Sequence, residues 1–273
     1  MRHRRARSAA PAVLARRTTA AEPHASLHRD MPANDDGIRL TSSEDTGVFT
    51  LSLDRQENVI NPAFVEALSA CIDIVEGAPH PKALVVRGVG KFFSNGLDLT
   101  YMLSRPAGAA PLVESFWRVL ARILVLDCRS IAALNGHAFG AGLFLALACD
   151  YRVMRTARGY VNFPELHLGM RLAKGFAELS KAKVSQATLR EGVLTGRRYG
   201  SAAAVAAGLV DAERPVEELM TSAVALAKEG LPERLGAANF DAQSFRQMKM
   251  ELYTEAYRAL SLGTVDAAPE SRL

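Results

Sequence analysis

Strand-like and helix-like segments alternate along the first part of the chain, and this alternation limits the possible folds more than any other feature. Short β-rich or apolar runs, typical of strands, occupy residues 47–53, 82–88, 129–136 and 151–155. Apolar residues at helical spacing occupy residues 61–77, 111–127 and 142–150. Asn61 and Pro62 are residue types preferred at a helix N-cap and first position. The alternation predicts an α/β layered fold, and the helical patterns after Gly175 predict a helical C-terminal region.

The charge of the chain is concentrated in its N-terminal segment. The 273 residues carry a formal net charge of +4, and residues 1–36 account for +3 of it, with seven arginines against four acidic residues. The rest of the chain is close to neutral, which argues against a nucleic-acid-binding surface built into the fold. RNA binding through the arginine-rich segment stays open as a non-enzymatic alternative.

Neither the cysteines nor the hydropathy pattern indicates a disulfide-bonded or membrane-spanning protein. Cys71, Cys128 and Cys149 lie in apolar runs and lack CxxC spacing, so we expect buried thiols in a reduced compartment and no metal site. No uninterrupted apolar run reaches the roughly 18 residues expected of a transmembrane helix. The hydrophobic share of 49% is enough for a large buried core.

Both ends of the sequence resemble targeting signals. Residues 1–36 are rich in Arg and Ala with no acidic residue before Glu22, as in organellar transit peptides, although a solvated tail has the same composition. We expect this segment to be disordered. Ser271, Arg272 and Leu273 are a conservative variant of the S-K-L signal and predict binding to the peroxisomal import receptor. The predicted location is the peroxisome, with the mitochondrion as the alternative.

Two glycine-containing turns follow two of the predicted strands. One lies in "GKFFSNGLDLTYM" (90–102) and the other in "LNGHAFGAGLFLALACDYR" (134–152). If the two strands are neighbours, both turns meet at the sheet edge where α/β folds bind ligands. One backbone N–H from each turn could then hold a single oxygen, and such an oxyanion-hole donor contributes about 3 kcal/mol to a transition state. The alternative is that the glycines only allow close packing of strand and helix.

Three ordered segments carry a family resemblance. "FFSNGLDLTYM", "IAALNGHAFGAGLFLALACDYRVM" and "FPELHLGM" resemble the signature segments of the crotonase superfamily, also called the enoyl-CoA hydratase/isomerase family, over about residues 45–215. They are most similar to those of peroxisomal-type monofunctional Δ3,Δ2-enoyl-CoA isomerases. The resemblance implies a crotonase-like spiral of ββα units in residues 37–215 and an acyl-CoA substrate with no separate cofactor. It also implies that the helical region, residues 216–273, forms a homotrimer or a dimer of trimers.

The resemblance assigns the catalytic groups residue by residue. The two backbone N–H donors fall on Leu97 and Ala141, and the second position is often glycine in relatives. Hydratases of the family use two glutamates, whose positions here hold Phe144 and Glu165. The further acid of diene-isomerising relatives falls on Ala173. Glu165 is thus the one family acid retained, and one carboxylate is enough to move a proton between two carbons.

These assignments predict an isomerase that moves the double bond of a 3-enoyl-CoA to the 2-trans position in the β-oxidation of unsaturated fatty acids. Glu165 would remove a proton from C2 and return one to C4, while Leu97 and Ala141 hold the thioester oxygen. An apolar wall that includes Phe144 is expected to exclude water and to raise the pKa of the carboxyl group. The alternatives are another single-glutamate acyl-CoA enzyme, a hydratase, and a catalytically silent acyl-CoA-binding protein.

Several further residues have a functional and a structural interpretation. We expect Asp98, Asp150, His137 and His167 to be structural. The candidates for the substrate pocket are Phe144, Tyr101, Met102, Phe116 and Trp117, with a place in the core as the alternative. Arg246 and Lys249 lie three residues apart on the last predicted helix. They are candidates for contacts with the CoA phosphates, with a solvated helix face as the alternative.

Overall fold

A computed structural model describes residues 28–30, 37–43 and 46–265. Most of the arginine-rich segment and the terminal tripeptide Ser271–Leu273 therefore lie outside the described residues. The expectation that all of residues 1–36 are disordered is wrong for residues 28–30, which pair as a strand with the edge of the main sheet. Backbone hydrogen bonds along an open sheet edge provide the physical reason for this pairing.

The described residues contain twelve strands and ten α-helices, which confirms the predicted α/β class. The strands are β1 (His28–Asp30), β2 (Ile38–Ser43), β3 (Val48–Leu53), β4 (Val59–Ile60), β5 (Ala83–Gly88), β6 (Phe92–Ser94), β7 (Gly96–Leu97), β8 (Arg129–Leu134), β9 (His137–Phe139), β10 (Tyr151–Arg155), β11 (Val161–Asn162) and β12 (Ala212–Arg214). The helices are α1 (Pro62–Gly77), α2 (Leu99–Ser104), α3 (Pro106–Leu124), α4 (Ala141–Ala148), α5 (Lys174–Lys183), α6 (Gln186–Thr195), α7 (Ser201–Ala206), α8 (Val216–Lys228), α9 (Ala242–Leu252) and α10 (Thr254–Ser261). Two short 3-10 turns span Gln56–Asn58 and Glu165–Leu168.

The main sheet has seven strands in the order β1-β2-β3-β5-β8-β10-β12. The strands from β3 to β12 are parallel to one another, whereas β2 is antiparallel to both of its neighbours. Both faces of the sheet are covered. In β5, Val85 packs in a cluster with residues of α8, while Leu84 and Val86 belong to the larger core formed with α1, α3 and α4. Side chains that alternate between two buried faces explain why this strand is apolar throughout.

A smaller parallel sheet, β11-β9-β6, positions the three chain segments that form the candidate site. β6 leads into β7, β9 leads into α4, and β11 leads into the 3-10 turn that begins at Glu165. Because the carboxyl ends of parallel strands meet at one edge, three segments that are distant in the sequence come together there.

The helix boundaries follow the capping signals in most places. Asn61 caps α1, since its side chain accepts a 3.0 Å hydrogen bond from the N–H of Phe64. α3 begins at Pro106 rather than at Pro111. The alanines between the two prolines favour the helix, and Pro111 is tolerated inside it because it removes only one backbone hydrogen bond. The predicted last helix is two helices, which meet at Tyr253.

No helix in the described part of the chain is both long enough and apolar enough to span a bilayer.

Candidate active site

The turn between β9 and α4 presents the N–H group of Ala141. Gly140 has φ 50° and ψ −117°, a conformation that favours glycine. Ala141 is the first residue of α4, so its N–H has no acceptor within the helix. Its neighbour Gly140 is fixed by a 3.2 Å hydrogen bond from its N–H to the carbonyl of Asn162 in β11. The turn thus presents a backbone donor at a helix N-terminus, and no backbone acceptor for it is found in the described part of the chain.

The second donor is the N–H of Leu97 in β7. The N–H of Asp98 donates to the carbonyl of Ile60 in β4, at 2.9 Å. Since alternate residues of a parallel strand point their N–H groups to the same side, the N–H of Leu97 points away from β4. A methyl group added to Gly96 would lie 2.7 Å from the carbonyl oxygen of Phe139 and 3.4 Å from the nitrogen of Ala141. The two donor segments therefore lie side by side, and Gly96 makes this close approach possible.

Ser94, which belongs to none of the predicted site residues, supports both donor segments. Its buried hydroxyl donates to the carbonyl of Asn58 at 2.7 Å and accepts from the N–H of Gly96 at 3.2 Å. Its backbone lies so close to Gly142, the second residue of α4, that a methyl group added there would clash with the Ser94 carbonyl. A serine at the end of the apolar strand β6 was the only signal in the sequence.

The 3-10 turn after β11 brings Glu165 to the same place. A methyl group added to Gly140 would lie 4.0 Å from Oε1 of Glu165 and 3.3 Å from Cγ of Pro164. Oε2 of Glu165 is buried and has no hydrogen-bond partner in the described residues. The turn ends at Gly169 in the left-handed conformation, with φ 63°. A carboxyl group thus lies beside the Gly140–Ala141 turn with one oxygen unpaired.

Burial determines the ionisation of this carboxyl group. It raises the pKa of Glu165 from 4.5 to about 7, with a smaller opposing effect of a backbone hydrogen bond. Desolvation disfavours the charged carboxylate, which accounts for the direction. A group with a pKa near the working pH can both accept and return a proton.

A single cavity of about 290 Å³ contains the three groups, because Leu97, Ala141 and Glu165 all line it. Glu165 and Arg171 are the charged residues among the described residues of its wall. Most of the remaining wall is apolar and includes Met102, Val113, Phe139, Phe176 and Val265. The arrangement suits a ligand with one polar group to be held by two N–H donors and an apolar remainder.

Four of the predicted pocket residues do not line this cavity. Phe144 is fully buried and stacks on Phe176, with ring centroids 4.2 Å apart, so it lies behind the wall. Phe116 and Trp117 are also fully buried, and their rings pack around Phe176 as part of the core. Tyr101 is partly buried, packs against the core and is not part of the wall. The prediction is wrong for these four, since periodicity does not show which apolar residues face a cavity.

Met102 is the one predicted pocket residue that does line the cavity.

The prediction that Lys249 contacts CoA phosphates is wrong. Its ammonium group is buried, donates to the carbonyl of Cys128 at 2.8 Å and pairs with Asp150 at 2.7 Å. The lysine therefore anchors α9 to the end of α4 that is opposite the Ala141 donor. Arg246 lies 3.8 Å from Glu76 of α1, and its side chain is 37% exposed. The pairing with Glu76 gives Arg246 a structural role, and a phosphate contact stays a prediction.

The residues expected to be structural have structural partners. Asp98 caps α2 by accepting from the N–H of Tyr101 at 2.9 Å. Asp150 accepts from the N–H of Ser130 at 2.8 Å. His137 accepts a 3.2 Å hydrogen bond from the N–H of Tyr160.

His167 lies over Gly196, where an added methyl group would be 2.5 Å from the imidazole ring. The three cysteines are buried free thiols. Within the described residues, no group of three or more His, Cys, Asp or Glu side chains is arranged to hold a metal ion.

Comparisons with known proteins place the chain in a family. The family model described as enoyl-CoA hydratase/isomerase matches residues 43–262. A protein of Arabidopsis thaliana named enoyl-CoA delta isomerase 2, peroxisomal, is 34% identical over 234 residues, which cover 83% of this chain and 96% of the relative. Enoyl-CoA delta isomerase 3 of the same plant is 38% identical over 186 residues, 66% of this chain and 76% of the relative.

The fold is also found among solved structures. The crystal structure of human mitochondrial delta3-delta2-enoyl-CoA isomerase superimposes with a TM-score of 0.74 at 20% identity. The match covers 82% of this chain and 86% of the human chain. At this level of identity the likeness supports the fold.

Proposed function

The chain belongs to the enoyl-CoA hydratase/isomerase family, and we propose that it is a Δ3,Δ2-enoyl-CoA isomerase. The observation that carries the proposal is the position of Glu165. Its carboxyl group has an unpaired buried oxygen and a pKa raised to about 7, and it shares a cavity with the Leu97 and Ala141 donors. The named isomerases among the relatives support the same activity.

The proposed reaction moves one proton. The thioester oxygen of a 3-enoyl-CoA accepts hydrogen bonds from the N–H groups of Leu97 and Ala141. Glu165 removes a proton from C2, and the negative charge spreads over a dienolate whose oxygen the two donors stabilise. The protonated Glu165 then returns the proton to C4, which leaves the double bond between C2 and C3. The two donors are in place before the charge develops, so they need no reorganisation during the reaction. The apolar wall excludes water, which strengthens the interaction between the donors and the negative oxygen.

Hydratases of the family use a second glutamate, and the lack of an acid at its position in this chain favours isomerisation over hydration. The position of the second hydratase glutamate holds Phe144, which is buried behind Phe176. Adding water to a double bond requires a group that activates the water, and a phenyl ring cannot accept a proton. The position of the further diene-isomerase acid holds Ala173, which lines the cavity. Proton transfer by one carboxylate is the chemistry that these residues support.

The assay is a comparison of two CoA thioesters with the purified protein. With 3-hexenoyl-CoA, absorbance of the conjugated enoyl thioester should increase as the double bond moves into conjugation. With 2-trans-hexenoyl-CoA, absorbance should not decrease toward a saturated 3-hydroxyacyl product. A decrease with the second substrate would mean that water is added, and it would replace the isomerase assignment with a hydratase.

We propose a peroxisomal location on the basis of two relatives, since enoyl-CoA delta isomerases 2 and 1 of Arabidopsis thaliana are both named peroxisomal. The test is the location of an N-terminally tagged chain with and without residues Ser271, Arg272 and Leu273. Co-localisation with a peroxisomal marker that depends on these residues is expected. Mitochondrial location of a chain with a free N-terminus would favour the arginine-rich segment as the signal.

We further propose that the chain forms a homotrimer or a dimer of trimers. Large apolar side chains at or just after the C-terminal ends of α2, α9 and α10 are highly exposed in the single chain: Leu103, Leu252 and Leu262, at 81%, 70% and 80%. Apolar surface of this kind is commonly covered in an assembly. Light scattering coupled to size-exclusion chromatography distinguishes a trimer or hexamer from a monomer.

A further inference from the structure

The chain folds back on itself after α10. Gly263 lies against α10 so closely that a methyl group added to it would clash with the carbonyl of Ala259. Two residues later, the N–H of Val265 donates a 2.9 Å hydrogen bond to Oε1 of Glu114 in α3. Residues 263–265, which we call the C-terminal strap, are thereby tied to a helix 151 residues earlier in the sequence.

The strap brings Val265 into the wall of the active-site cavity. Val265 lines the cavity together with Ala110 and Val113 of α3. These two residues lie four and one positions before Glu114, on the same stretch of the helix. The hydrogen bond from Val265 to Glu114 therefore fixes the strap directly beside the α3 wall. Glu114 itself is not part of the wall, so it acts on the cavity only through the strap.

The cavity has two chemically different parts. Leu97, Ala141 and Glu165 belong to the polar part, which also includes Asn95 and Arg171, and Val113, Phe176 and Val265 belong to the apolar part. Phe176 is held from behind by its stacking on Phe144 and by Trp117, so this side of the wall is rigid. The strap, in contrast, lies outside any helix, and it is held by the hydrogen bond to Glu114 and by the packing of Val265 against the core.

We propose that the C-terminal strap sets the acyl-chain length that the cavity accepts, with Val265 as the specificity-determining residue and Glu114 as the residue that positions it. This inference rests on the proposed function for the identity of the ligand as an acyl-CoA. A small side chain at position 265, or release of the strap, gives a longer acyl chain room between α3 and α5. A large side chain at this position fills that room.

The experiment uses the full-length protein and five variants. Val265→Ala enlarges the cavity and Val265→Phe fills it. Glu114→Ala releases the strap without changing the cavity wall, whereas Glu114→Gln keeps an oxygen acceptor of similar shape. Thr264→Ala is the matched control, since Thr264 lies in the strap beside Val265, is exposed and does not line the cavity. Glu114→Ala keeps the test informative if a Val265 variant does not fold.

Two ratios are measured for each protein. One is kcat/KM for 3-dodecenoyl-CoA over that for 3-hexenoyl-CoA. The other is the Kd of hexanoyl-CoA over that of dodecanoyl-CoA by titration calorimetry, which needs no turnover. Because each buried CH₂ changes binding by about fourfold, Val265→Ala and Glu114→Ala should raise both ratios by about tenfold. Val265→Phe should lower both ratios by about tenfold, since one methylene that does not fit a pocket changes discrimination between substrates by at least about tenfold. Glu114→Gln and Thr264→Ala should stay within about twofold of the parent protein.

The two measurements separate this inference from the proposed function. If the parent protein isomerises 3-enoyl-CoA and both ratios stay constant in the Val265 and Glu114 variants, the strap inference is wrong and the proposed function stands. If the parent binds saturated acyl-CoA without isomerising any substrate, the proposed function is wrong, and the Kd ratios alone decide the role of the strap. If neither acyl-CoA binds, both are overturned.

Discussion

The ring of Phe144 stacks on the ring of Phe176, with centroids 4.2 Å apart and planes inclined by 14°. By its resemblance to the family, Phe144 is expected at the position of a hydratase glutamate, but its side chain does not line the cavity. Phe176 forms the wall instead, and Phe144 supports it from the core. A substitution at position 144 therefore changes the core before it changes the chemistry.

Phe144→Glu should destabilise the protein without creating a hydratase. The variant places a carboxyl group in a fully buried aromatic cluster, and losing a buried phenyl ring alone costs about 3–5 kcal/mol. Chemical denaturation measures the loss, and Phe144→Leu, at roughly 1 kcal/mol, is the control that keeps the site apolar. A stable Phe144→Glu variant that hydrates 2-hexenoyl-CoA would contradict the placement of Phe144 behind the wall.

Glu165→Gln should abolish isomerisation and leave the fold intact. The amide has the shape of the carboxyl group but cannot accept the proton, and loss of a general base costs roughly 10²–10⁴ in rate. Steady-state kinetics with 3-hexenoyl-CoA measures the effect, and calorimetric binding of hexanoyl-CoA tests whether the cavity is preserved. Substantial residual turnover would show that another group moves the proton.

Activity should depend on the ionisation of Glu165. The carboxylate is the form that removes the C2 proton, so kcat/KM should rise with pH and reach half its maximum near the Glu165 pKa of about 7. The rise reflects a single ionisation and should have a slope of about one on a logarithmic scale. A profile that stays flat down to pH 5 would contradict the burial of this group.

The same pKa predicts a pH dependence of stability with the opposite sign. The pKa of Glu165 is raised from 4.5 to about 7 in the folded chain, so between these values the folded state binds a proton that the unfolded state has lost. The contribution of Glu165 to the free energy of unfolding is therefore highest below pH 4.5 and falls as pH rises, by about 3 kcal/mol in total. Urea denaturation from pH 5 to 8 should show this decrease in the parent protein relative to Glu165→Gln. Parallel curves for the two proteins would contradict it.

Ser94→Ala should lower kcat with little change in KM. The hydroxyl fixes Gly96, which precedes the Leu97 donor, and a small displacement of that donor weakens transition-state stabilisation by about tenfold, or about 1.4 kcal/mol. Loss of the two hydrogen bonds should also reduce the free energy of unfolding by about 1–2 kcal/mol. Ser115→Ala is the control, because the Ser115 hydroxyl donates to Leu112 within α3 and away from the donors. Equal effects of the two substitutions on kcat would show that Ser94 has no special role in positioning.

Lys249→Met should destabilise the protein by about 3 kcal/mol, because the largely buried Asp150 carboxylate loses its ion-pair partner and keeps only its hydrogen bonds from Ser130. The KM for acyl-CoA should not change. Arg246→Met, which removes the more exposed pairing with Glu76, is the companion variant and should cost less than about 1 kcal/mol. A raised KM in Lys249→Met with unchanged stability would restore the phosphate contact predicted from the sequence.

The sequence was sufficient to predict those parts of the fold that local chemistry determines. The Asn61 cap and the strands around the glycine turns follow from turn and capping preferences. The family motifs point to Leu97, Ala141 and Glu165, which line one cavity, and their catalytic roles stay predictions. The sequence was not sufficient for Phe144, Phe116 and Trp117, because an apolar pattern predicts burial but not which residues face a cavity. Lys249 and Val265 depend on contacts with Asp150 and Glu114, more than 90 residues away, which no local pattern reveals.

The three strands of the small sheet deliver two main-chain donors and one side chain, and these differ in how they respond to mutation. A substitution at position 97 or 141 retains the N–H group unless the new residue is proline. At position 165, by contrast, any residue without a proton-accepting group removes the base. Random variation in this gene should therefore be tolerated at the two donor positions more widely than at position 165, and of the three groups only Glu165 depends on the identity of a single codon for its chemistry.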